Sequence, residues 1–161
     1  MENPWGNIWH IIGGMIIRGN GNEGGGVPYI CNSYNYNYTE LTNDYVPLGY
    51  RVPVASGYVS GFGYSEAYDW VYLAAENNGN RSVPVGDKTW VVENMNGYKC
   101  VINGGSFIST EAAGLFGYGY DQNLDIVSRT IGAKLMFIPT KNSIYENNIL
   151  NWRSHMEATS I

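Results

Sequence analysis

The chain has 161 residues, enough for one domain of ordinary size. Only 14% of them are charged, against about 25% in ordinary globular domains, so Gly, Tyr and Asn must keep much of the surface wet. A net charge of −5 without any cluster of Lys or Arg argues against a nucleic-acid binder. No apolar run reaches the ~20 residues that cross a bilayer, and Met1-Glu2-Asn3-Pro4 does not open a secretory signal. Recurrent Trp, Tyr, Phe, Val and Ile argue against disorder.

Ile8 to Ile17 is an apolar run rich in β-branched residues and interrupted by Gly13-Gly14. The glycine pair opposes a helix, so the run predicts a buried strand or a hairpin. Gly19 to Gly26 predicts an irregular loop. Tyr34-Asn35-Tyr36-Asn37-Tyr38 alternates aromatic and polar side chains at period two, the pattern of a strand or extended loop. Val52-Pro53-Val54 and Ser82-Val83-Pro84-Val85 are extended, because proline opposes a helix or central strand. Tyr64 to Tyr72 is ambiguous. Asn96-Gly97, between Trp90-Val91-Val92 and Tyr98 to Ile102, predicts a tight hairpin turn. Lys134 to Ile138 reads as a core strand ended by Pro139.

The last stretch differs. Ser143 and Glu146 fit a capping box. Tyr145, Ile149, Trp152 and Met156 follow at spacings of four, three and four, which places them on one helical stripe. A terminal helix of about four turns is predicted, docked on a domain or forming an oligomer seam. Such a helix is too short to be stable alone, which favours docking. The two cysteines, Cys31 and Cys100, are too far apart in sequence for a redox pair or a zinc knuckle. They form either one disulfide or two small buried hydrophobes, and the lack of an export signal favours the second.

Several blocks, in order, resemble C-type-lectin-like domains of phage fibres and of diversity-generating-retroelement variable proteins, near the formylglycine-generating-enzyme branch. Glu2-Asn3-Pro4-Trp5-Gly6-Asn7-Ile8-Trp9 is similar to the family's opening block. Leu48-Gly49-Tyr50, Ser56-Gly57-Tyr58, Gly61-Phe62-Gly63-Tyr64 and Val85-Gly86-Asp87 look like its middle. Val101 to Phe107, Ala113-Gly114-Leu115-Phe116 and Ile131 to Phe137 resemble its close, with Lys134 where the family carries an arginine. The resemblance spans roughly residues 1–139. It implies an α+β, strand- and loop-rich C-type-lectin-like domain over 1–139 without the family's upstream half, followed by a helical tail over 140–161.

The chemistry of the chain points away from catalysis. The enzyme branch uses two closely spaced cysteines, which Cys31 and Cys100 do not match. His10 lies in an apolar run and His155 in the terminal helix, and neither has a nucleophile motif beside it. No catalytic residue and no cofactor are expected. The calcium triplets of sugar-binding C-type lectins are missing. Asp121, Asn123 and Asp125 space three oxygen side chains like an EF-hand start, but Ile126 replaces the required glycine. No metal is expected.

The stronger signal is a recognition surface built from Tyr, Ser, Asn and Gly, which combine rigid amphipathic area with adaptable hydrogen bonds. By position, the resemblance places Phe107, Ser109, Thr110, Glu111, Tyr118, Tyr120, Gln122, Asn123 and Asp125 on the ligand face. Gly119 between Tyr118 and Tyr120 predicts that both rings are exposed, because glycine-flanked loops rarely build cores. Leu115 and Phe116 are expected in the core. Tyr34, Tyr36 and Tyr38 form a possible second patch. The resulting expectation is a non-enzymatic virion protein, made in the host cytoplasm, whose receptor-binding domain recognises a bacterial surface glycan or protein. It would contact other virion subunits as a homo-oligomer, a trimer as the resemblance implies, with weak sites multiplied by avidity. The alternatives are a structural decoration or joining protein of the virion and a retroelement-diversified bacterial surface protein.

Overall fold

The structure is a computed structural model that describes residues 5–21, 25–31, 33, 35–37 and 39–133. Ten short strands follow one another: β1 (Trp9–Asn20), β2 (Val27–Cys31), β3 (Tyr45–Pro47), β4 (Gly57–Tyr58), β5 (Gly61–Phe62), β6 (Ala74–Glu76), β7 (Lys88–Trp90), β8 (Asn96–Asn103), β9 (Tyr118–Gly119) and β10 (Ile131–Gly132). Among the described residues the only helical pieces are two 3₁₀ turns, Glu66–Tyr68 and Thr110–Ala112. The fold is therefore strand-rich and loop-rich. The terminal helix and the strand expected at Lys134 to Ile138 lie outside the described residues.

One mixed sheet runs in the order β3-β2-β1-β8-β9-β7-β4, and β10 pairs with the start of β1. The β1–β10 and β7–β9 pairs are parallel and the others antiparallel. β5 and β6 form a separate antiparallel pair. The apolar run at the start of the chain is the long strand β1, as its β-branched content dictates. Gly13-Gly14 makes a bulge in it: the register against β8 shifts between Ile11 and Ile16. Gly14 takes a positive φ of 76° there, and the Tyr36 ring fills the space a side chain would need.

Two turn expectations are corrected. Asn96-Gly97 does not join two paired strands: it opens β8 and pairs with Asn20 and Gly19 of β1, while β9 separates β8 from β7. Gly19 and Asn20 correspondingly belong to β1 and not to the following loop, because the Met95 backbone packs where a Gly19 side chain would stand. Around Asn35–Asn37 the chain forms no strand. Asn37 Oδ1 instead accepts hydrogen bonds from the Thr39 amide and hydroxyl and from the Glu40 amide, so a side-chain turn replaces a ladder.

The sheet buries both faces through the period-two alternation of its strands. On β8, Val101 enters the main core with Ile17, Leu48, Val59 and Leu73. Its neighbours Cys100 and Ile102 enter a second cluster with Trp9, flanked by Trp90, Leu124 and Ile131. Both cysteines are free thiols.

The same alternation overturns the expected exposure of Tyr118 and Tyr120, whose relative exposures are 7% and 0%. Gly119 is no loop residue. It lies in β9 between β8 and β7, and it lacks a side chain because Ile102 crosses that spot. The residues on either side face the main core, stacked at 5.9 Å between ring centroids. Their hydroxyls find backbone acceptors. Tyr118 donates to the Tyr72 carbonyl, and Tyr120 donates to the Ala74 carbonyl at 3.3 Å. Burial pushes the Tyr118 hydroxyl up to about 12 and the Tyr120 hydroxyl well above its ordinary range. Leu115 is likewise not a core residue and stands exposed, while Phe116 packs on the core and against Phe62 at 5.2 Å.

Candidate functional site

The sheet face that carries the second, smaller cluster is only partly covered, and a cleft of about 580 Å³ opens there. Its volume falls in the range of small-ligand sites, roughly 300–1,000 Å³. Trp9, Trp90, Ile102 and Ile131 supply apolar surface. The two indoles meet edge to face at 5.0 Å, and Lys88 Nζ lies 5.7 Å from the Trp90 ring centre. Lys88 and Trp90 share this face because they are alternate residues of β7. Thr89 between them is fully buried on the other side.

The polar walls come from three segments. The chain after β8 turns at Gly104-Gly105, both at positive φ, and brings Ser106, Ile108, Ser109, Thr110 and Glu111 to one side of the cleft. A Gly105 side chain would collide with Ala113, so this reversal requires glycine. The Ser109 hydroxyl accepts a hydrogen bond from the Ser106 amide at 3.1 Å, which fixes the turn that carries Thr110. Asp121 and Gln122 form the opposite wall, with Gln122 Nε2 donating to Asp121 Oδ2 at 2.7 Å. Burial raises the Asp121 carboxyl above its ordinary range. Ser128 and Thr130 complete the lining, joined by a hydroxyl–hydroxyl hydrogen bond of 2.9 Å. At the rim, Arg81 pairs with the Glu111 carboxylate and donates from Nε to the Tyr58 hydroxyl at 3.0 Å. That pair ties the loop before β7 to the 3₁₀ turn after β8, although both groups are exposed and screened.

Four of the residues singled out from the sequence meet here: Ser109, Thr110, Glu111 and Gln122. The others do not. Phe107 is exposed beside the cleft without lining it. Asn123 accepts from Lys99 Nζ at 2.5 Å on the outside of β8, and Asp125 is exposed beyond it. Tyr118 and Tyr120 lie in the main core, on the opposite side of the sheet. Tyr36 packs over the Gly14 bulge, and Tyr34 and Tyr38 lie outside the described residues. Sequence reasoning missed Trp9, Lys88 and Trp90, whose strands β1 and β7 are distant in sequence, and it weighed Asp121 only as a cation ligand. The alternation in Lys88-Thr89-Trp90 was the one available signal.

The arrangement combines an aromatic surface, amide and carboxylate groups, and several hydroxyls in a half-open cleft. It can bind a ligand that offers both an apolar face and hydroxyl or amide groups. Among the described residues no group of three or more His, Cys, Asp or Glu is placed to hold a metal ion. Comparison of the chain with protein-family models, curated proteins and solved structures finds no match.

Proposed function

We propose that the chain is a non-enzymatic binding module with a C-type-lectin-like fold. It is carried on a phage fibre, tail or head appendage and recognises a bacterial surface glycan or protein. The virion assignment rests on the ordered sequence blocks that resemble phage fibre domains. The observation that carries the binding role is the cleft itself. There Ser109, Thr110, Glu111 and Gln122, all in the segment the resemblance marks for ligand contact, meet Trp9 and Trp90. An indole offers its apolar area to a sugar ring or an aliphatic side chain, and the planar Gln122–Asp121 pair and the serine hydroxyls fix orientation. Display in several copies, as a homotrimer in the resembled fibres, multiplies a weak single site by ~10²–10⁴.

The test is binding of fluorescently labelled protein to a panel of bacterial strains, alone and clustered on beads. Trp90→Ala and Gln122→Ala are compared with the native chain. Strain-selective binding that disappears in both variants, with the circular dichroism spectrum unchanged, supports the reading. Selective binding that both variants retain moves the site off the cleft. Absence of binding even on beads favours a second reading, a joining or decoration protein of the virion. Phe107 and Leu115, exposed outside the cleft, and Ile108, exposed at its wall, favour that reading, because they offer apolar surface to a neighbouring subunit.

A further inference from the structure

A second surface stands apart from the cleft, on the β5–β6 hairpin. The Gly63 amide donates to the Leu73 carbonyl at 2.9 Å, which prolongs the antiparallel pairing beyond the strands. Side chains alternate along the returning arm. Val71 and Leu73 enter the main core, while Trp70 and Tyr72 point outward at 62% and 59% exposure. Gly63 faces the core side, where the Tyr50 ring occupies the space of a side chain. Tyr64, the next residue, is 73% exposed. Three large aromatic side chains are thus exposed on the hairpin, with the Trp70 ring edge-on to Tyr68 at 6.4 Å.

Two further observations say what this face takes. The exposed carboxylates Glu66 and Asp69 sit at the tip, and neither has an ion pair among the described residues. Between Arg51 and Arg81 the chain contains no lysine or arginine, so the hairpin carries no base of its own. The hairpin is also held from behind. Tyr118 and Tyr120 donate to the Tyr72 and Ala74 carbonyls, so the backbone under the aromatic face is fixed before any partner arrives.

We propose that this face docks a protein surface rich in arginine and lysine. Guanidinium and ammonium groups stack on the open indole and phenol rings and pair with Glu66 and Asp69. Rings this exposed on a hairpin form an open platform and not an enclosed cage, which suits a protein surface better than a small ammonium ligand. The proposal does not depend on the cleft.

The probe is a synthetic peptide of alternating arginine and serine, titrated by fluorescence anisotropy at about 0.15 M salt, where long-range attraction is screened. Two patch variants, Trp70→Ser/Tyr72→Ser and Glu66→Gln/Asp69→Asn, are each expected to weaken binding about fivefold or more. A control with two exposed carboxylates removed elsewhere, Glu40→Gln/Glu93→Gln, is expected to change it less than about twofold. Trp90→Ala in the cleft leaves peptide binding unchanged, so failure here and failure of the cleft reading are distinguishable. Melting temperatures check that each variant folds. Equal losses in patch and control variants would mean general attraction to an acidic chain and overturn the proposal. So would no peptide binding, or full binding by the Trp70→Ser/Tyr72→Ser variant. Patch-dependent binding of choline or of phosphatidylcholine vesicles in place of the peptide replaces the occupant, as does self-association abolished by Trp70→Ser.

Discussion

Replacing Tyr120 separates a core residue from a recognition residue. Its side chain is fully buried, stacks on Tyr118, and donates to the Ala74 carbonyl at 3.3 Å. Tyr120→Phe removes one neutral hydrogen bond and leaves the ring in place, a cost of about 1 kcal/mol. Tyr120→Ala removes the ring as well and opens a cavity between the sheet and the β5–β6 hairpin. Aromatic truncations of that kind cost about 3–5 kcal/mol. For a chain of this size each kcal/mol lowers the melting temperature by about 2–4 °C, so the expected falls are about 2–4 °C and about 6–20 °C. Thermal unfolding followed by circular dichroism, with native chain and both variants side by side, measures them. A Tyr120→Ala variant that melts with the native chain yet loses binding to bacteria would put the ring on an outer face and refute the packing argument.

Three further predictions follow from the same residues. Burial holds the Tyr118 hydroxyl near 12 in the folded chain, against 10.0 for an ordinary tyrosine. The folded state then keeps a proton that the unfolded state releases, so stability falls as pH rises from 10 towards 12, by at most about 1.4 kcal/mol per pH unit for this group. Urea denaturation across that range tests the sign, and a flat or rising profile contradicts it. An added Cβ at Gly119 would stand 2.5 Å from Ile102 Cγ1, so Gly119→Ala costs about 1–3 kcal/mol by overpacking. In an Ile102→Val background the cost shrinks, and strict additivity in a double-mutant cycle would show that the two do not touch. Burial pushes the Cys100 thiol up to about 11, and its sulfur donates to the Gln122 and Asn123 carbonyls. A thiol reagent at pH 8 therefore modifies Cys31 first and reaches Cys100 only in denaturant. Two equally fast reactions in the native chain, resolved by mass spectrometry, would contradict this burial.

Local chemistry was legible wherever the chain's own pattern decided the outcome. The β-branched run Ile8 to Ile17 is a strand because those side chains suit a pleated, buried surface, and its glycine pair breaks the regular spacing as a bulge. The strand- and loop-rich character that the resemblance implies is what the structure has among the described residues, without the helical part of the expected α+β class.

What lies opposite what could not be read from the chain alone. Gly119 looks the same in a sequence whether it frees a loop or makes room for Ile102 in a sheet, and only the pairing of β9 between β8 and β7 decides. That placement turned Tyr118 and Tyr120 inward. It also left Trp90 to meet Trp9, although they are far apart in the chain, and gave the cleft its aromatic surface. The sequence thus determined that the run Ile8 to Ile17 is extended and that few charges are available for the surface. The tertiary structure alone decided which face of each strand is buried. A strand's side chains alternate regardless of what covers them, and the covering segments come from distant parts of the chain.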